Sequence, residues 1–175
     1  MANHIKQLNV TYLAAEDRIL LKLNTTDKEE FRIWLTRRLV RGLAQALGGA
    51  ERQLLGLEDP ASGRLTPGAR AIQEFRREAS TAGIDFGERF EEDAGRFPFG
   101  AEPVLAVGCE IQLQGENASV ALQLGNQRTL NFMLDVRGLH GTLAMLQKAV
   151  AHSDWDLGLE LQSPAPPTVG QAGLH

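Results

Sequence analysis

The stretch FRIWLTRRLVRGLAQAL, Phe31 to Leu47, reads as a strand that stops at a capping residue and turns directly into a helix. Phe31, Ile33 and Leu35 alternate with Arg32 and Trp34, the period of a strand with one buried face. Thr36 then offers a side-chain oxygen to the orphan amides of a first helical turn. Leu39, Val40, Leu43 and Leu47 follow at helical spacing, and Gly48-Gly49 reads as a natural stop. The same grammar returns at Leu130 to Leu146, LNFMLDVRGLHGTLAML. There Leu130, Phe132 and Leu134 alternate, Asp135 takes the cap position, and Leu139, Leu143, Leu146 and Val150 form the helical stripe. Laid over each other without a gap, the copies match Leu35 with Leu134, Thr36 with Asp135, Arg38 with Arg137, Gly42 with Gly141 and Leu47 with Leu146. Two caps in register between two matching periodicities point to an internal repeat.

Working outward from the first copy, Leu8, Val10 and Tyr12 alternate with polar residues, Ala15-Glu16-Asp17 makes a turn, and Ile19, Leu21 and Leu23 alternate again. This is a hairpin with one apolar face, joined by NTTDKEE to the Phe31 strand. Ahead of the second copy, Leu105, Val107, Cys109, Ile111 and Leu113 read as one face of a long strand. A GENA turn and a strand carrying Val120, Leu122 and Leu124 follow. The two hairpins align if the loop before the third strand is two residues shorter in the second half. The expected fold is therefore α+β: two strand-strand-strand-helix units, about residues 5–57 and 103–152, in a pseudo-twofold arrangement on an antiparallel sheet. The first helix resumes after its glycines, given Leu54, Leu55 and Leu57.

Residues 58–102 form an insert. EDPASGRLTPG is turn material, and a helix is expected from about Ala69 to Thr81. GIDFGERFEEDAGRFPFGAEP holds four of the seven phenylalanines, Phe86, Phe90, Phe97 and Phe99, which reads as an irregular segment pinned to the fold by rings. The sharper reading makes those rings a patch for a partner. After His152, DWDLGLELQ adds a short strand or a packed tail. Residues 163–175 lack periodicity and are expected to be disordered, leaving one domain over residues 1–162.

Composition excludes more than it assigns. The 175 residues are 43% apolar and 23% charged, ordinary for a soluble globular chain, with no apolar run of membrane-spanning length and no signal-peptide start. Cys109 is the single cysteine, so no internal disulfide can form, and a cytoplasmic location is expected. The net charge of −4 argues against a general nucleic-acid binder, yet residues 1–50 carry eight basic against five acidic side chains.

Catalytic signals are weak. Cys109 sits on the apolar face of a strand, where a free cysteine is usually a small hydrophobe. His140 follows the apolar Leu139 on its helix and reads as solvated or half-buried. His152, Asp154 and Asp156 alternate, but their spacing matches no zinc or calcium motif, and a histidine suits a helix C-terminus for its charge alone. No phosphate-binding glycine loop is present, so neither an enzyme, a metal nor a cofactor is expected. The basic cluster is more informative. Arg37, Arg38 and Arg41 occupy the first turns of a helix, where the dipole disfavours cations. Trp34 precedes them on the same strand face as Lys22 and Arg32. An aromatic ring with surrounding cations can stack a base and hold phosphates. The alternative packs Trp34 under the insert or against a subunit and pairs the arginines with Glu29, Glu30 or the acidic middle segment.

The run NTTDKEEFRIWLTRRL resembles one found in an uncharacterised family of conserved hypothetical bacterial proteins, over about a tenth of the chain. That resemblance implies a bacterial origin and no activity. The tandem sheet-then-helix layout is similar to that of Whirly and PUR-type single-stranded nucleic-acid binders, which place four strands before each helix where this chain has three. The resulting expectation is a non-catalytic protein of the bacterial cytoplasm that binds other chains and forms a homo-oligomer, with Leu20, Trp34, Met133, Phe97 and Phe99 as interface candidates. The alternative is a single-stranded nucleic-acid binder using Lys22, Arg32, Trp34, Arg37, Arg38 and Arg41.

Overall fold

The Phe31 strand lies inside the sheet, with its apolar alternation facing the core. Phe31, Ile33 and Leu35 are buried, while Arg32 and Trp34 face outward and are half-buried. The computed structural model describes residues 5–57, 66, 68, 71, 90 and 95–158. Among these residues the elements run β1 (Ile5–Leu13), β2 (Arg18–Thr25), β3 (Glu30–Leu35), α1 (Arg37–Leu54), β4 (Val104–Gln114), β5 (Asn117–Leu124), β6 (Thr129–Leu134) and α2 (Val136–Ala151). The strands form one six-stranded sheet in the order β1-β2-β3-β4-β5-β6. Every neighbour is antiparallel except β3 and β4, which run parallel and pair only at Ile33–Val104 and Trp34–Leu105. The architecture is α+β, with α1 packed on β4, α2 packed on β1, and the two helices against each other.

The two strand-strand-strand-helix units share their register residue by residue. Ile19 faces Leu35 as Ala118 faces Leu134, Leu21 faces Ile33 as Val120 faces Phe132, and Leu23 faces Phe31 as Leu122 faces Leu130. In the first hairpins, Tyr12 faces Ile19 as Leu113 faces Ala118, and Leu8 faces Leu23 as Cys109 faces Leu122. Both turns before the third strand place one residue in the left-handed region, Lys28 at φ 58° and Gln127 at φ 64°. Both caps form: Leu39 N–H donates to Thr36 Oγ1 at 3.4 Å, and Gly138 N–H donates to Asp135 Oδ1 at 2.7 Å. Equal turns before β3 and β6 correct the expected alignment. The two extra residues of the first unit lie in the β1–β2 turn, Ala14 to Asp17, against Gly115-Glu116 in the second.

Three further expectations are corrected. Gly48-Gly49 does not stop α1, which continues to Leu54. Each glycine costs a helix roughly 1 kcal/mol, but Gly48 is buried here among Leu47, Ala50 and Glu51, so packing outweighs propensity. Strand β4 does not keep one phase, because a bulge at Val107 separates the pairs Ala106–Leu124 and Gly108–Gln123. Ala106 therefore enters the core, while Val107 faces solvent and Leu105 joins Trp34 on the outer face. A bulge at Lys6 stands at the same place in β1. Finally, His140 is buried at 4% exposure rather than solvated, and its Nδ1–H donates to the buried Glu51 Oε1 at 2.7 Å. The expected helix at 69–81, apart from Ala71, lies outside the described residues, as do Phe86 and the tail from residue 163.

The segment after α2 packs through one side chain. Trp155 is buried, meets Tyr12 edge-on at 5.5 Å, and donates its indole N–H to Asp17 Oδ1 at 2.6 Å. Tyr12 Oη–H donates to the same oxygen at 2.9 Å. The Trp155 bond, then the Tyr12 bond, with the Arg37 charge adding, hold the Asp17 carboxyl below the usual carboxylate range. The bond to Asp17, reinforced by burial and by the carboxylate's charge, moves the Tyr12 phenol up.

Candidate binding groove

The sheet leaves two edge strands, β1 and β6. At the junction between the units, β3 meets β4 directly and α1 covers the seam. At the other end, no pairing joins β6 to β1 among the described residues, and residues of both strands line a groove of about 520 Å³. Ile5 to Leu8 of β1 form one wall, Met133, Leu134 and Asp135 at the end of β6 form the other, and the first three turns of α2 form the floor. An edge strand of a sheet has one row of backbone groups outside the ladder, and β1 and β6 are the two edges of this sheet.

Local sequence explains the shape. The Asp135 cap sends the chain from β6 into α2 without a loop. Gly138 lets that first turn lie close to β6, since a Cβ there would stand 3.0 Å from Leu134 Cδ2 and 3.2 Å from Asp135 Oδ1. Thr142 Oγ1 donates to the Gly138 carbonyl at 2.7 Å, which turns the hydroxyl inward along the helix. Met133 and Met145 supply unbranched, polarizable surface that adapts to a guest. Lys6 and Arg137 supply positive charge, and among the described lining residues the one carboxylate, Asp135, is engaged by the Gly138 amide.

The residues singled out in the sequence lie elsewhere, apart from Met133. Leu20, Trp34 and Leu105 stand side by side on the outer face of β2, β3 and β4, all half-buried. Phe97 and Phe99 hold the end of the insert to the first unit. Arg32 lies 4.9 Å over the Phe97 ring, and Phe99 meets Phe31 edge-on at 4.9 Å with Arg128 at 5.4 Å over its ring. Arg128 also donates to the Pro98 carbonyl at 2.9 Å, Arg96 pairs with Glu29, and Glu29 and Arg96 bridge as parallel strands.

The basic candidates divide into two groups. Arg32 binds Glu30 Oε1 at 2.6 Å and the Ala101 carbonyl at 3.1 Å, and Lys22 lies 5.4 Å from the centre of the Phe90 ring. Arg37, Arg38 and Arg41 are exposed on α1. Between these groups stands the capped turn at Thr36, so Trp34 and the three helix arginines point from different elements.

Burial pushes the Cys109 thiol up, which keeps it protonated and a poor nucleophile. No group of three or more His, Cys, Asp or Glu side chains able to hold a metal ion occurs among the described residues, and His152 Nδ1–H donates to the Lys148 carbonyl at 2.8 Å. None of the described helices is long and apolar enough to cross a membrane. Comparison with protein-family models, curated proteins and solved structures finds no match for this chain.

The groove itself was not legible as a site. Its lining comes from three separated segments, and only their meeting gives them a common surface.

Proposed function

We propose that this chain is a non-catalytic protein-binding module of the bacterial cytoplasm, which takes a segment of a partner polypeptide in the groove between β6, β1 and α2. The observation that carries the reading is a groove of about 520 Å³ lined by residues of both edge strands and α2, within the range of about 300–1,000 Å³ typical of ligand sites. Adding an extended chain to an exposed sheet edge is a recurrent mode of peptide recognition. A second copy of the chain is the competing occupant, since an edge strand serves a homo-oligomer equally well.

The test pans a displayed random-peptide library against the wild-type protein and against Met145→Trp, which fills the groove floor. Peptides enriched on the wild type and lost on Met145→Trp are the expected result. Equal enrichment on both proteins rejects the groove. A dimer of the free protein in solution that Met145→Trp dissolves would assign the groove to a second copy instead.

The nucleic-acid reading keeps one favourable observation, the exposure of Arg37, Arg38 and Arg41 on one helix. Titration with a fluorescent single-stranded oligonucleotide tests it. Salt-dependent binding lost on the triple alanine variant would favour it over the groove reading.

A further inference from the structure

We infer that the chain holds a single-stranded nucleic acid at the end of the sheet where β3 turns into α1, with a base stacked on Trp34 and phosphates on Arg18, Arg37, Arg38 and Arg41. The inference deepens the nucleic-acid reading of α1 and rests on it, and the groove plays no part in it. Its starting point is which cations the fold already uses. Arg32 binds Glu30 and the Ala101 carbonyl, Lys22 lies over the Phe90 ring, Arg96 pairs with Glu29, and Arg128 binds the Pro98 carbonyl. Among the described residues, Arg18, Arg37, Arg38 and Arg41 make no such hydrogen bond, ion pair or ring contact. Arg37 feels the charge of Asp17, whose carboxylate is already engaged by Trp155 and Tyr12. The exposed face of α1 adds no carboxylate of its own, since the one acid of that helix, Glu51, is buried. Cations in a first helical turn oppose the dipole, so these arginines cost the helix stability instead of supplying it.

Position joins these arginines to Trp34. Ile19 faces Leu35 on the buried side of the sheet, so Arg18 and Leu20 share the outer side, where Leu20 stands beside Trp34. Leu105 stands on the other side of Trp34, which makes a row of three half-buried apolar residues across β2, β3 and β4. None of the aromatic contacts among the described residues uses the Trp34 ring. Three residues of chain reach at most about 10 Å, so the backbone of Arg37 lies within that distance of Trp34. The charge of Asp17 acts on Arg37, which brings the β1–β2 turn and the adjoining Arg18 to the same end of the molecule. A flat ring flanked by cations matches a base and its phosphates, and the guanidinium fork fits phosphate oxygens in pairs. A single strand is the matching form, because only unstacked bases are open to an aromatic side chain.

A fluorescein-labelled thymidine decamer, titrated by anisotropy over a series of salt concentrations, separates the two roles. Each phosphate contact to a single strand contributes about −0.7 to the slope of log K against log salt. Arg18→Gln is expected to make that slope shallower by about 0.7, as is Arg38→Gln. Trp34→Leu is expected to weaken binding about tenfold at every salt concentration with the slope unchanged, and Trp34→Phe to recover part of the loss. The decamer should quench tryptophan emission of the wild type and leave that of Trp34→Phe unchanged. A decamer of abasic units should bind the wild type and Trp34→Leu alike. Circular dichroism checks the fold of each variant. Binding lost on alanine at Arg37, Arg38 and Arg41 together, but unchanged in Arg18→Gln and Trp34→Leu, overturns this site and leaves the nucleic-acid reading of α1 standing. No binding to the wild type at low salt overturns both. Displacement of the decamer by polyglutamate as completely as by unlabelled decamer, at matched charge concentration, assigns the arginines to an acidic polypeptide and overturns nucleic acid as the occupant.

Discussion

Glu51 and His140 are separated by 89 residues in the chain, yet they form a buried hydrogen bond of 2.7 Å where the late part of α1 meets the early part of α2. A polar pair in such a place is expensive to break one partner at a time, because the remaining group keeps its desolvation penalty. Replacing either residue singly by leucine should therefore destabilise the fold by about 1–3 kcal/mol. The double variant should be destabilised by less than the sum of the singles, as read from urea unfolding. Strict additivity would mean that the two residues do not depend on each other. Neither partner was recognisable in the sequence. Glu51 follows a glycine pair that reads as a helix stop, and His140 sits one position off the apolar stripe, so each looks like a surface residue until the helices are packed. Asp17 makes a different kind of residue-scale statement. Its carboxyl is held below the usual range by the bonds from Trp155 and Tyr12. The unfolded carboxyl, with a pKa of about 3.9, takes up its proton first, so the stabilisation is present above that value and fades as pH falls through the lower folded value. In a Trp34→Phe background, Trp155 emission should shift to the red over that acid range, and Asp17→Asn should remove the step. An identical step in Asp17→Asn would detach the latch from this carboxylate.

At the scale of elements, the strands show how far periodicity reaches. The buried faces of β2, β3, β5 and β6 follow from alternation alone, and both helix starts follow from their caps. Strand β4 does not, although its sequence alternates most regularly. The bulge at Val107 adds a residue on one strand, shifts the phase on one side of it, and leaves the hydrophobic pattern looking unbroken. Pairing with β5 decides the phase, and pairing is not a local property. Ala106, at 2% exposure, lies inside the core, while Val107, at 52%, faces solvent. Aspartate at Val107 should change stability by no more than about 0.5 kcal/mol. At Ala106 the same substitution buries an unpaired carboxylate and should lower the melting temperature sharply or prevent folding. Uninterrupted alternation predicts the reverse order. Thermal melts of the two variants decide between the phases, with the reverse order removing the bulge and with it the outward placement of Leu105 beside Trp34.

For the whole molecule, the repeated register invites a division into two domains, but the packing argues for one folding unit. Each helix lies over a strand of the other unit: α1 follows β3 and packs on β4, and α2 follows β6 and packs on β1. The helices also pack against each other, and Glu51 and His140 join them. A unit cut out alone would therefore lose the cover of its first strand and expose one face of its own helix. Small domains with so little buried area are marginal at best. Residues 1–57 and residues 95–175, produced separately, should each lack cooperative unfolding. Mixed together they should form a one-to-one complex that unfolds cooperatively, because the contacts between the units do not depend on a covalent link. Cooperative melting of residues 1–57 alone would show instead that one sheet-and-helix unit suffices. The exchanged helices would then be a consequence of tethering, and the seam at β3–β4, like the groove at β6–β1, would be free to open.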